Sequence, residues 1–93
     1  MKSTARVPTE KPNAYLAQLC RHFSHKGRSE WNVERGWIEL QSGRCDLASE
    51  PGTLVLTVSA DDEERLTRCE DVYGGHLERF GRRDELAVSW TRD

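Results

Sequence analysis

The chain is poor in the features that usually announce a function. Among its 93 residues there are three cysteines, three prolines, one methionine, two phenylalanines and two tyrosines. Cys20, Cys45 and Cys69 form no Cys-x-x-Cys pair, which excludes a zinc ribbon or a thioredoxin-type motif. Their odd number argues against a secreted disulfide framework. No apolar run approaches the roughly 20 residues of a membrane-spanning helix, so no membrane contact is expected. The opening Met1–Arg6 lacks the apolar stretch of a secretion signal, and a cytoplasmic setting is expected. Neither sign of charge dominates. Fourteen basic and 16 acidic residues leave a net charge of −2. A nucleic-acid binder led by phosphate contacts is expected to be basic, so no nucleic-acid partner is expected. No Gly-x-Ser-x-Gly, phosphate-binding glycine loop or His-Glu-x-x-His occurs. Repeats, low-complexity tracts and linkers are absent too, and residues 1–93 read as a single domain.

What is present is hydrophobic patterning. Ala5-Arg6-Val7 predicts a strand closed by Pro8. Leu16, Leu19, Cys20 and Phe23 follow helical spacing and predict a helix from Pro12 to Ser24, with Gly27 ending it in a left-handed conformation. Proline is tolerated in the first turn, where its missing N–H would be unpaired in any case. Steps of two then share a face: Trp31 and Val33, Ile38 and Leu40, Cys45 and Leu47, and Leu54, Leu56 and Val58. Turn residues separate these runs, which predicts a four-stranded antiparallel meander with one apolar face. Asp61 is placed as the N-cap of a second helix, with Glu64 three residues on. Leu66, Cys69, Tyr73, Leu77 and Phe80 form its stripe. Gly74-Gly75 interrupts it and marks a close crossing or a kink. Leu86–Trp90 alternates and predicts a last strand. The order β-α-β-β-β-β-α-β gives an α+β two-layer sandwich, with both helices on one face of an antiparallel sheet.

Three stretches carry a family resemblance: Tyr15-Leu16-Ala17-Gln18-Leu19-Cys20-Arg21-His22-Phe23-Ser24-His25-Lys26, then Gly43-Arg44-Cys45, then His76-Leu77-Glu78-Arg79-Phe80 with Asp84–Trp90. Together they resemble the bacterial domain of unknown function 2218 family over nearly the whole chain. Gly74-Gly75 and Gly81-Arg82-Arg83 depart from that pattern. The resemblance implies a small two-layer domain with a TATA-binding-protein-like arrangement and no established activity. Some members of the family resemble accessory modules of siderophore-interacting flavin reductases, which implies a link to iron handling.

The residues themselves offer four candidate sites. On the first helix Tyr15, His22 and Lys26 share one flank. His76, with Arg79 nearby, flanks the second stripe. Side-by-side helices bring these together into a cluster able to hold a carboxylate or phosphate. The competing account is that they bond one another and helix-end carbonyls. A metal site from Cys20, His22, His25 and His76 fails on geometry, because Cys20 and His22 point about 200° apart on a continuous helix; no metal and no cofactor are expected. The polar sheet face holds Glu30, Asn32, Trp37, Glu39, Arg44, Asp46, Thr53, Val55, Thr57, Ala87 and Ser89. Trp37 with Arg44 there is either a partner surface, including a homodimer through the open face, or a tryptophan covering its neighbours. Catalysis is disfavoured, since the cysteines lie on core stripes and the carboxylates at turns and helix starts. The expected function is a non-enzymatic module for a small anionic ligand or a protein partner. The alternatives are a metal- or iron-binding redox accessory and a purely structural or oligomerisation domain.

Overall fold

Alternation of apolar and polar residues builds the sheet, and helical stripes cover it. The computed structural model describes residues 1–93. Its strands are β1 (Lys2–Pro8), β2 (Arg28–Trp31), β3 (Arg35–Leu40), β4 (Gly43–Glu50), β5 (Thr53–Ser59) and β6 (Thr91–Arg92). All neighbours pair antiparallel in the order β2-β3-β4-β5-β1-β6. Helix α1 spans Pro12–Phe23, α2 spans Glu63–Cys69 and α3 spans Gly75–Phe80. Both helical rods back one face, so the architecture is the expected α+β two-layer arrangement with an open antiparallel sheet.

The register explains which face is covered. Ile38 pairs with Cys45, Cys45 with Val58, and Leu47 with Leu56, which pairs with Ala5. All these residues are buried, as are Leu16, Leu19, Cys20 and Phe23 of α1 and Leu66, Cys69, Tyr73 and Leu77 of the second rod. Side chains one position out of phase face the other way, because strand side chains alternate. The three cysteines are reduced and buried. Burial pushes the Cys20 thiol up to about 12 and raises Cys45 and Cys69 as well, so none supplies a thiolate.

Several expectations are corrected. The final strand is not Leu86–Trp90. Only Thr91 and Arg92 pair, with Thr4 and Ser3 of β1. Leu86, Val88 and Trp90 alternate because they pack onto the core as an extended segment. Ala87 and Ser89 therefore do not belong to the open sheet face. The cap of α2 is Asp62, whose carboxylate accepts the Arg65 N–H at 2.8 Å, rather than Asp61. Gly27 does not adopt a left-handed conformation; positive φ among glycines occurs at Gly43 and Gly52. At Gly27 a Cβ would lie 2.3 Å from the Glu39 carbonyl oxygen, so close approach to β3 explains the glycine. Trp31 and Val33 leave the core, at 38% and 68% exposed: Trp31 ends the edge strand β2 and Val33 lies in the turn that follows it.

Gly74-Gly75 marks a kink of a specific kind. Glu70–Gly74 forms a π-helical turn between α2 and α3. A Cβ on Gly74 would lie 3.0 Å from Trp90 Nε1 and 3.3 Å from Val88 Cγ1, so the C-terminal segment crosses here. Arg92 then fastens the chain end to the helices, donating to Glu70 at 2.9 Å and Thr67 at 2.8 Å.

Tyr73, fully buried in this turn, donates to the Gly43 carbonyl at 3.0 Å. Tyr73→Phe is expected to cost about 1 kcal/mol, the net value of one such bond, in urea denaturation at unchanged m.

Candidate functional site

Helix α1 presents His22 next to Phe23 of its buried stripe, and α3 presents His76 one residue before buried Leu77. Both imidazoles sit at the edge of their rod's apolar stripe, so packing the rods brings them together. Their ring centroids are 5.0 Å apart with an interplanar angle of 41°. Phe23 and Phe80 wall the pair. Phe23 lies 4.9 Å from His22 and 5.0 Å from His76, and Phe80 lies 5.3 Å from His22.

The two histidines are not equivalent. His76 Nδ1 lies 2.7 Å from the Val72 carbonyl oxygen. A carbonyl only accepts, so His76 Nδ1 carries the proton and Nε2 presents a lone pair when the ring is neutral. Val72 belongs to the π turn, a kind of interruption frequent at functional sites. His22 Nε2 is buried and has no hydrogen-bond partner, and no other side-chain nitrogen or oxygen in the protein shares that state. Burial first, then the proximity of His76, Lys26 and Arg79, holds the His22 imidazole below its ordinary value of 6.5.

Lys26 and Arg79, whose charges act on His22, form no ion pair. Arg6, Lys11, Arg28, Arg44, Arg65, Arg68 and Arg92 all form ion pairs. Apart from Lys2 and Arg35, the cations that form none are Arg21, Lys26, Arg79, Arg82 and Arg83. These gather near or just beyond the C-terminal ends of α1 and α3. The spatial division of charge is thus hidden in a net charge of −2.

Of the five residues expected in this cluster, His22 and His76 meet, with Lys26 and Arg79 beside them. Tyr15 does not join. Its hydroxyl donates to Asp84 Oδ2 in the 3₁₀ turn Arg82–Asp84. Lys11 Nζ reaches the same oxygen at 3.5 Å. The Asp84 hydrogen bond raises the Tyr15 hydroxyl, and the same bond lowers the Asp84 carboxyl. A shallow cleft of about 440 Å³ opens beside Lys11 and Asp84, away from the histidines. Sequence reasoning missed Asp84 because nothing local marks a partner 69 residues from Tyr15.

On the open face Trp37 is half-buried rather than exposed. The Arg44 guanidinium lies 4.9 Å from its ring centroid and that of Arg28 5.9 Å. Arg44 also donates to Asp46 at 3.1 Å and pairs with Glu39 at 3.5 Å. Trp37 and Arg44 are therefore adjacent, and each already covers a neighbour. No His, Cys, Asp or Glu cluster of three or more has metal-binding geometry, and no helix is long and apolar enough to cross a membrane.

No curated protein matches the chain. Among solved structures, the NMR structure of PA4090 from Pseudomonas aeruginosa is similar, with a TM-score of 0.80 and 31% sequence identity. The match covers 97% of this chain and 94% of that one. Residues 4–91 match the model of an uncharacterised family conserved in bacteria, and the chain thus belongs to the domain of unknown function 2218 family.

Proposed function

We propose that this protein is a non-enzymatic module whose helical face binds an anionic group, a carboxylate or phosphate borne by a small ligand or a protein partner. One observation carries the reading: two imidazoles converge at 5.0 Å, one with a buried, unpartnered nitrogen. A buried polar atom without a partner is costly, and a ligand atom that satisfies it recovers that cost. Lys26 and Arg79 supply charge without having to break an existing ion pair. Once protonated, the imidazoles become donors as well, so an anion binds together with protons. The same cations oppose a metal ion at the pair, which disfavours the metal- or iron-binding alternative. The iron and siderophore link remains an implication of the family resemblance alone. Trp37 with Arg44 supports a second reading, a partner or homodimer surface on the open face, less well because Arg44 is already held by Asp46 and Glu39.

The test is an NMR titration of the imidazole resonances with inorganic phosphate and with acetate. His22 and His76 are expected to shift together, more strongly at pH 6 than at pH 8, while phosphate leaves the exposed His25 unaffected. Arg79→Ala is expected to weaken phosphate binding about tenfold, the loss of one charge-assisted bond. Saturable shifts produced by Zn²⁺ and not by phosphate would establish the metal-binding alternative instead. No shift at either imidazole with any of these probes would end both readings of this site.

A further inference from the structure

We infer that β2 is a self-pairing edge, through which two copies of the chain join their sheets antiparallel. The strand order leaves β2 with β3 on one side and no strand on the other. The parity of its backbone is fixed by the turn that follows. The Asn32 N–H donates to the Arg35 carbonyl at 2.8 Å. Alternation then turns the N–H and C=O groups of Glu30 and Arg28 toward β3 and those of Ser29 and Trp31 outward. An edge of this kind is a template for another strand unless it is blunted.

Here the occupant follows from charge and parity. Outward groups can meet outward groups only when Ser29 or Trp31 pairs with a Ser29 or Trp31 of the second copy. Ser29 opposite Trp31 places Glu30 directly against Glu30, a like-charge pair on one face. Trp31 opposite Trp31 requires Asn32 to continue the strand, whereas its side chain accepts the N–H groups of Glu34 and Arg35 in the turn. Ser29 opposite Ser29 sets Arg28 against Glu30 twice, once on each side of the two-fold axis. Both residues lie on the open sheet face, with side chains exposed. The Arg28 pairing with Glu39 is loose, at 3.9 Å, and leaves the guanidinium free to reach across. Trp31 and Val33, two of the three large exposed hydrophobic residues, flank this same edge. A partner strand there covers apolar surface that the core does not. The inference is independent of the anion site, since β2 contributes nothing to the histidine pair.

Sedimentation velocity from micromolar to millimolar concentration tests it. The expected result is a monomer–dimer equilibrium. Glu30→Arg places Arg opposite Arg twice and weakens the dimer about tenfold. The double variant Arg28→Glu/Glu30→Arg restores it, which a merely structural effect of either substitution would not do. A monomer throughout the concentration range overturns the inference. A dimer indifferent to Glu30→Arg also overturns it. Circular dichroism of each variant confirms that a lost dimer is not a lost fold.

Discussion

Gly43→Ala is expected to lower the stability of the folded chain by about 3–5 kcal/mol. Gly43 sits where β3 turns into β4, with φ +156, and the turn is hemmed in on two sides. A Cβ there would lie 2.3 Å from the Ser59 carbonyl oxygen and 2.7 Å from Cys69 Sγ. Neither neighbour can yield cheaply. Ser59 pairs with Arg44 in the sheet, and Cys69 is fully buried at the end of α2. Moving the turn would also break the bond from Tyr73 to the Gly43 carbonyl. A domain of this size commands about 5–14 kcal/mol in total, so one methyl group would remove a large share of it. Gly52→Ala is the control. Its φ is +71 but nothing lies within 4 Å of an added Cβ, so only the backbone cost of about 1–2 kcal/mol applies. Urea denaturation of the two variants gives the comparison. Equal midpoints would show that the turn moves freely and that its clamping between β5 and α2 is unimportant.

That clamp was not legible in the sequence, and the reason is general to what was and was not foreseen. Periodicity reports which residues face the core, and the meander, the first helix and the cysteines followed from it. It does not report what the extended chain is paired with. Leu86, Val88 and Trp90 alternate as a strand would, yet they face the second helical rod: Leu86 packs on Gly81, and Gly74 of the π turn makes room for Val88 and Trp90. Trp31 and Val33 alternate as well, yet stay exposed: Trp31 ends the edge strand and Val33 lies in the turn after it. The same distinction divides the polar cluster. His22 and His76 could be placed together because each flanks a stripe that had to be buried. Tyr15 shares the flank of His22, but a long-range carboxylate on a turn that no pattern marks captures its hydroxyl. Facing is written in spacing; partnership between distant polar groups is decided by the assembled backbone.

His22→Phe is expected to make the protein more stable at pH 7, by about 1–3 kcal/mol, while abolishing the response of the site to phosphate. The substituted ring occupies a place already lined by Phe23, Phe80 and the His76 imidazole. It removes the buried nitrogen that has no partner. The pH profile separates this from simple repacking. Desolvation, then the nearby charge of His76, lowers the His22 pKa in the folded chain from 6.5. Between 6.5 and that lower value the unfolded chain binds a proton that the folded chain refuses. The stability associated with neutral His22 is therefore complete above 6.5, declines as pH falls through the window, and is gone below the folded value. In His22→Phe this part of the acid-side decline disappears, and the wild-type and variant curves diverge as pH drops from 7. His25→Phe, at an exposed position, leaves the decline in place. Thermal or urea unfolding at pH 5, 6, 7 and 8 measures all three proteins. If His22→Phe is no more stable than wild type at pH 7 and retains the full slope, the orphaned nitrogen costs nothing and the site loses its physical basis. If stability rises as binding falls, His22 is a group held in the fold at a cost. Such an exchange of stability for a local exception is what a functional site requires and a structural one does not.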